Sequence, residues 1–391
     1  MTANLHKSLS TSDKISYFCC MKKKIHVISF QNPYPPNYGG VIDVYYKLKA
    51  LKESDFHITL HTYNYGNRTA DYENLSQIAD VVHLYKRETG ITKQLSSLPY
   101  IVNSRRDNSL IANLLNDDAP ILFEGLHTCY FLSDIRLKNR LKIVRTHNVE
   151  HDYYHGLYLS AKKLKDKLFY ALEAKRLKCY EKVLTNADYI MAISETDRDY
   201  FTNKYSKVIV KHLPCFFDDE ISSDNVITEK FVLYHGNLSV GENITAAKWI
   251  IDKIAPNLPD ITFKFAGSTP PEHLTQTQHE HKNVEFIVNP DDKTLNQLVR
   301  HAHINLLITF QATGIKLKLL KALTKGAFVI ANSQMVEGSG LSENCIVANS
   351  PQEIINNISD LMSQTYTPEQ KNLRHLPSNA ASIKTLTSII H

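Results

Sequence analysis

Residues 24–51 read KIHVISFQNPYPPNYGGVIDVYYKLKAL, and the order of parts within them decides the fold. KIHVISF (24–30) is a short apolar, β-rich run, residues 31–40 form a turn heavy in proline and glycine, and VIDVYYKLKAL (41–51) is a helical pattern. The run is mostly apolar without strict alternation, as in a strand covered on both faces. A strand that passes at once into a helix is half of a parallel crossover unit. Gly39 and Gly40 stand where the helix begins, so backbone N–H groups there can approach an anion that the helix dipole also favours. The turn lacks the GxGxxG pattern of a nicotinamide-binding domain, and a plain Pro and Gly turn without ligand is its alternative reading.

Outward from this unit the alternation continues. Strand-like runs stand at 57–63, 80–85, 120–124, 141–147, 188–194 and 207–213, with longer helical patterns between them. Around 214–229 the pattern stops, and PCFFDDEISSDNVITE reads as a polar connection opened by Pro214. A second series then follows at 231–236, 261–267, 283–288, 304–310, 327–332 and 344–349. The expectation is an α/β protein of two tandem doubly wound, Rossmann-like domains, 21–213 and 230–391, with 214–229 as the linker. The last helix is free to pack back on the first domain. Residues 1–20 lack an apolar h-region and a cleavage site and read as a disordered extension, with Met21 a second possible start. In such sheets ligands bind beyond the carboxyl ends of the strands, here in the cleft between two facing domains.

Composition narrows the function. Hydrophobic residues make up 43% and charged residues 22%, which is globular composition and excludes a disordered or disulfide-scaffold chain. A net charge of +5 is too small a surplus to argue for nucleic acid. The six cysteines are scattered without a CxxC pair, which disfavours zinc and redox chemistry and fits a reducing, cytoplasmic compartment.

Polar residues cluster just after strands. The fifth strand ends in RTHNVEHDYY (145–154), where a metal reading of His147, Glu150, His151 and His155 competes with chance. HNVEH is not HExxH, because no glutamate directly follows the first histidine, and zinc is the weaker reading. In the second series YHGNLSVGEN (234–243) repeats the strand-to-helix turn of the first. Downstream, FQATGIKLKLLKALTKG (310–326) places Gly314 before a helix and Lys318 one turn into it, where a phosphate can be neutralised. A solvated lysine face suits Lys316, Lys321 and Lys325 equally well.

At these segments the chain resembles glycosyltransferases of the GT-B fold, specifically the retaining family 4-like group that includes bacterial polysaccharide and lipopolysaccharide sugar transferases. The resemblance covers nearly the whole chain after Met21. Its carriers are PPNYGG, RTHNVEHDYY, AISETD (192–197), HGNLSVGEN and GIKLKLLKALTKGAFVIAN. The resemblance implies a hexosyltransferase that moves sugar from a nucleotide-sugar donor to a hydroxyl of a glycan or lipid-linked acceptor, with no metal demanded. It implies that Gly39 and Gly40 approach the donor diphosphate and that His147 contacts the transferred sugar. Thr313, Gly314 and Ile315 would present N–H groups to sugar or phosphates, with Lys318 beside the diphosphate and Gly236 and Asn237 also on the donor.

One departure stands out. Relatives commonly carry two glutamates, the second expected to hold the nucleotide ribose, and these positions read Thr313 and Lys321 here. Lysine offers only donors. Either ribose binding has moved to another acceptor or nucleotide affinity is weakened, and on this ground Lys321→Glu should tighten the nucleotide. Relatives often place an arginine or lysine for the diphosphate in the HGNLSVGEN loop, which has neither. A catalytically weakened or dead nucleotide-sugar-binding protein is therefore one rival reading, and a nucleotide-sugar epimerase, recognisable by free epimerised donor, is another. Finally, eight basic residues against three acids between Ala161 and Lys182, on a helix with Leu164, Leu168, Leu172 and Leu177, suggest peripheral contact with the inner face of the plasma membrane. The alternative is a helix whose leucines pack on the sheet.

Overall fold

The computed structural model describes residues 22–66, 71–161, 163–220, 228–310 and 317–390. Residues 1–20, with Met21, lie outside the described residues. All thirteen expected runs form strands, in two wholly parallel sheets. The first orders β3-β2-β1-β4-β5-β6-β7, with β1 Lys23–Ile28, β2 Phe56–Asn64, β3 Val81–Lys86, β4 Ile121–Glu124, β5 Lys142–Thr146, β6 Tyr189–Ala192 and β7 Ile209–His212. The second orders β10-β9-β8-β11-β12-β13, with β8 Glu229–His235, β9 Thr262–Gly267, β10 Val284–Val288, β11 Ala302–Leu307, β12 Phe328–Ala331 and β13 Ile346–Val347. In each sheet the winding direction reverses beside the first strand, between β1 and β4 and between β8 and β11. That reversal opens a crevice at the carboxyl ends of these strands.

Helix α1, Gly39–Glu53, covers the first sheet. It buries Val44, Leu48 and Leu51 against Ile25, Val27 and Ile58. Each such aliphatic contributes about 1.5–3 kcal/mol when fully buried. The same cluster takes in Ile383, Leu386 and Ile389 from the C-terminal helix Asn379–Ile390, so the chain returns from the second sheet to the first. Within the first sheet a buried polar chain crosses three strands. His26 bonds Asp117 and His61 at 2.8 Å each, and His61 bonds the Tyr85 hydroxyl at 2.8 Å.

Two features depart from the sequence reading. The connection after Pro214 is not polar at its start: Cys215, Phe216 and Phe217 are buried, and the Phe216 N–H donates to Asp43 at 2.8 Å. Three aromatic and thiol side chains in a row find core here because the connection runs across the site before it leaves the first sheet. The basic helix, Leu164–Tyr180, follows α2 (Glu150–Ser160), and we label it α3. Its leucines divide. Leu164, Leu168 and Leu172 are 83%, 63% and 46% exposed, whereas Leu177 is buried. Arg176 is committed to Glu173 and to the Gln94 carbonyl, so it and Leu177 do not belong to the exposed face. Lys162 lies outside the described residues. Of the cysteines described, Cys129 and Cys215 are buried, Cys345 half-buried and Cys179 exposed, all as free thiols.

Candidate functional site

The carboxyl ends of β4 and β5 meet the first turns of α1 around a buried ionic network. Asp43 and Lys47 lie one turn apart on α1, with Lys47 Nζ donating to Asp43 Oδ2 at 2.9 Å and to both oxygens of Glu124 at 2.7 and 2.9 Å. Glu124 is the last residue of β4. Arg145, inside β5 and fully buried, donates to both Asp43 oxygens at 3.1 Å. It also donates to the carbonyls of Leu213 and Pro214. Burial alone would push Asp43 up, but Arg145, Lys47 and His147 outweigh it and hold the carboxyl far below the usual range. Glu124 is likewise lowered against its burial, by Lys47 and His147. Two carboxylates and two cations thus neutralise one another out of water, an arrangement whose worth depends on complete pairing.

His147 closes the network toward the cleft. Its Nε2 stands 3.0 Å from Glu124 Oε2, and an ionised carboxylate only accepts, so Nε2 carries the proton and Nδ1 faces away. On that side is Gly40. A Cβ there would come within 3.2 Å of His147 Nδ1 and 2.8 Å of the Phe30 ring, so a side chain at this position would press on both. At Gly39 a Cβ would meet nothing within 4 Å, and its backbone lines open space.

Across the cleft, helix α4, Gly241–Lys253, begins after the HGNLSVGEN turn. Gly236 and Gly267 bring the ends of β8 and β9 together, since a Cβ on Gly267 would lie 2.1 Å from the Gly236 carbonyl. Asn237 ties the turn through its side-chain oxygen to Ser239 and Ser268. Lys318, on the helix Leu317–Lys325, donates to Asn243 Oδ1 at 3.1 Å and lies over the Tyr234 ring. A cavity of about 700 Å³ joins the two sides, lined by Asn37, Tyr38 and Gly39 from the first sheet's unit and by Gly236, Asn237, Lys318 and Lys321 from the second's. Its size is that of a small-molecule pocket. His235 at its edge is held neutral, with burial, then Lys321 and Lys318, bringing it down to about 3.

The structure therefore gathers Gly39, Gly236, Asn237, Lys318 and Lys321 on one cavity, with Gly40 behind Gly39 against His147. Thr313, Gly314 and Ile315 lie outside the described residues. The HNVEH residues do not converge. His147 turns to Glu124, His151 pairs with Glu181 at 3.1 Å, and buried Glu150 stands 3.9 Å from His127, its carboxyl pushed up to about 8 by burial. Among the described residues, Asp43, Glu124 and His147 are the group spaced to hold a cation. Lys47 and Arg145 already neutralise both carboxylates, and a divalent ion there would meet two positive charges. Asp43, Lys47, Glu124 and Arg145 were not singled out from sequence. The available signal was a charge ending one buried strand, a charge inside another, and an Asp and Lys four apart on the helix that follows β1.

Residues 229–364 match the family described as Glycosyl transferases group 1. A protein of Klebsiella pneumoniae, described as an uncharacterized 44.6 kDa protein in the cps region, is 28% identical over 349 residues, 83% of this chain and 87% of the relative. Among solved structures, sucrose-phosphate synthase from Thermosynechococcus elongatus superposes with a TM-score of 0.62 at 15% identity, covering 94% of this chain and 96% of that one. HepE from Anabaena, in complex with UDP and glucose, superposes with a TM-score of 0.61 at 15% identity, covering 94% and 98%. At such identities the structural likeness speaks for the fold, and the family match speaks for the second sheet's unit. Together with the paired sheets and the cleft between their strand ends, they give the protein the GT-B fold, with residues 229–364 matching the glycosyl transferases group 1 family.

Proposed function

We propose that the protein transfers a hexose from a nucleotide sugar to a hydroxyl of a glycan or lipid-linked acceptor, with retained anomeric configuration, in surface polysaccharide synthesis. The carrying observation is the cavity that sets Lys318, Lys321 and the HGNLSVGEN turn opposite the start of α1. A leaving diphosphate gathers negative charge as the anomeric C–O bond breaks. Fixed N–H groups and an ammonium in a cleft of low dielectric stabilise that charge more than water does. Lys318 and the first turn of α1 at Gly39 and Gly40 have this character, with Gly236 and Asn237 beside them, and Thr313, Gly314 and Ile315 are assigned to the same ligand. Positive charge of this origin leaves no step that calls on a metal.

Retention is supported by the state of the carboxylates. Asp43 and Glu124 are both engaged by cations, so neither is a free nucleophile or base, and a front-side transfer needs neither. His147 then contacts the transferred sugar through Nδ1. The hydrogen bond from His147 to Glu124 favours a second reading, in which Nδ1 takes the acceptor's proton and the product is inverted. The place in polysaccharide synthesis is supported by the cps-region relative. Contact with the membrane at its inner face is supported by the exposed leucines of α3; among the described residues no helix is long and apolar enough to cross a membrane.

A thermal-shift screen of nucleotide sugars tests the reading, because a donor at 100 times its Kd stabilises by about 2.7 kcal/mol. Proton NMR of the product anomer then separates retention from inversion. Stabilisation without turnover on any acceptor would favour the binding-only rival, and an epimerised free donor the epimerase.

A further inference from the structure

Three polar groups on the cavity wall have no partner among the described residues. His235 is 3% exposed, and its Nε2 is buried without a hydrogen bond. Lys321 projects into the same cavity with no hydrogen bond or ion pair, and so does Asp292 in the first turn of the helix Asp292–His301. Burial draws the Lys321 ammonium toward neutrality, and Asp292 is the first of the carboxylates that oppose this, followed by Asp218. The charges sense each other across a gap. Their neighbours are already engaged. Asp291 accepts from the Thr294 N–H at 2.7 Å, Lys325 pairs with Asp218 at 2.6 Å, and Lys318 holds Asn243.

An ammonium and a carboxylate that border one space without touching make a matched donor and acceptor. Two adjacent hydroxyls satisfy both at once, one donating to the carboxylate and the other accepting from the ammonium. The ribose of a nucleotide sugar carries such a pair. We propose that the ribose diol of the donor bridges Asp292 and Lys321, with His235 Nε2 at the back of the recess. This rests on the donor-site reading above and adds the residues that recognise the ribose. The carboxylate missing at position 321 is then supplied from another element, by Asp292, and the expectation that Lys321→Glu tightens binding changes sign: it would set two carboxylates side by side.

Calorimetry with UDP, ADP and GDP, each beside its 2′,3′-dideoxy analogue, tests the inference. The wild-type protein is expected to bind the matching ribonucleotide roughly tenfold or more tighter than the dideoxy form, the effect of hydrogen bonds to charged groups. Asp292→Ala and Asp292→Asn should remove most of that preference while inorganic pyrophosphate competes as before. Asp292 is exposed on the surface of its helix, so folding should persist, and thermal unfolding of both variants checks it. Lys321→Glu alone should weaken the ribonucleotide, whereas Lys321→Glu with Asp292→Ala should restore the preference. If Asp292→Ala keeps the full ribose preference, the inference is overturned and the donor-site reading stands. If the wild-type protein binds none of the three nucleotides, the donor-site reading falls and takes the inference with it.

Discussion

His147 owes its orientation to its neighbours in the first sheet's unit. Glu124 holds its Nε2, Lys47 holds Glu124, and Gly40 leaves room at Nδ1. His147→Ala should therefore abolish most transfer while the fold persists, measured as turnover beside a far-ultraviolet spectrum. If it keeps near-full activity while Asn148→Ala or Gly39→Val removes it, His147 is not in the reaction centre. Gly40→Ala should cut turnover more than Gly39→Ala, because only at position 40 does the added methyl press on His147 and Phe30. Its stability cost is that of overpacking, about 1–3 kcal/mol. Lys47→Met leaves Asp43 and Glu124 with one cation fewer and should destabilise by about 3–5 kcal/mol in urea denaturation, as unpaired buried charge does. The conspicuous residues of the site were legible in the sequence because strand ends in this architecture advertise themselves through glycine and histidine. The network behind His147 was not. Lys47 and Glu124 look unremarkable until the fold places residues 77 positions apart in contact, and no local pattern encodes that.

The strands were legible as a set because a parallel strand buried on both faces must be an apolar run, whatever its neighbours. Faces of helices were harder to read. The leucines of α3 suit a core or a membrane equally in sequence, and only the fold shows that Leu164, Leu168 and Leu172 point outward while Leu177 packs inside. With Lys163, Lys165, Lys175, Lys178 and Lys182 also exposed, each basic residue near an anionic surface adds about 1 kcal/mol of attraction. Sedimentation with anionic vesicles should show binding at low salt that fades at high salt, and Leu164→Ser with Leu168→Ser should weaken it at both. Binding that ignores salt and leucines alike would dismiss α3 as the contact. The polar chain across β1, β2 and β3 makes a separate prediction. Burial lowers His26 and, more strongly, His61 below the ordinary histidine value of about 6.5. The unfolded chain then binds more protons in acid, so the stability these histidines allow is complete above about pH 6.5 and is lost as pH falls toward their folded values. Urea midpoints should drop between pH 7 and pH 5, and His61→Gln should flatten that drop.

On the scale of the whole molecule, the two-sheet plan and the place of the cleft followed from counting runs and noting where they paused. The pause itself was misread, because Phe216 and Phe217 look like part of a polar connection until Asp43 and Arg145 are seen to seize it. Those contacts bear on motion. Arg145 grips the carbonyls of Leu213 and Pro214, and Asp43 takes the Phe216 N–H. Farther along, Asn379 bridges Phe217 and Asp219 at the start of the returning helix. The strand that leaves the first sheet is thus clamped at its root by the same ions that seat His147. If the cleft opens and shuts around a donor, this stretch feels both jaws, because Asp218 is also paired with Lys325 on the lysine side and Phe217 packs with Leu319 and Leu323.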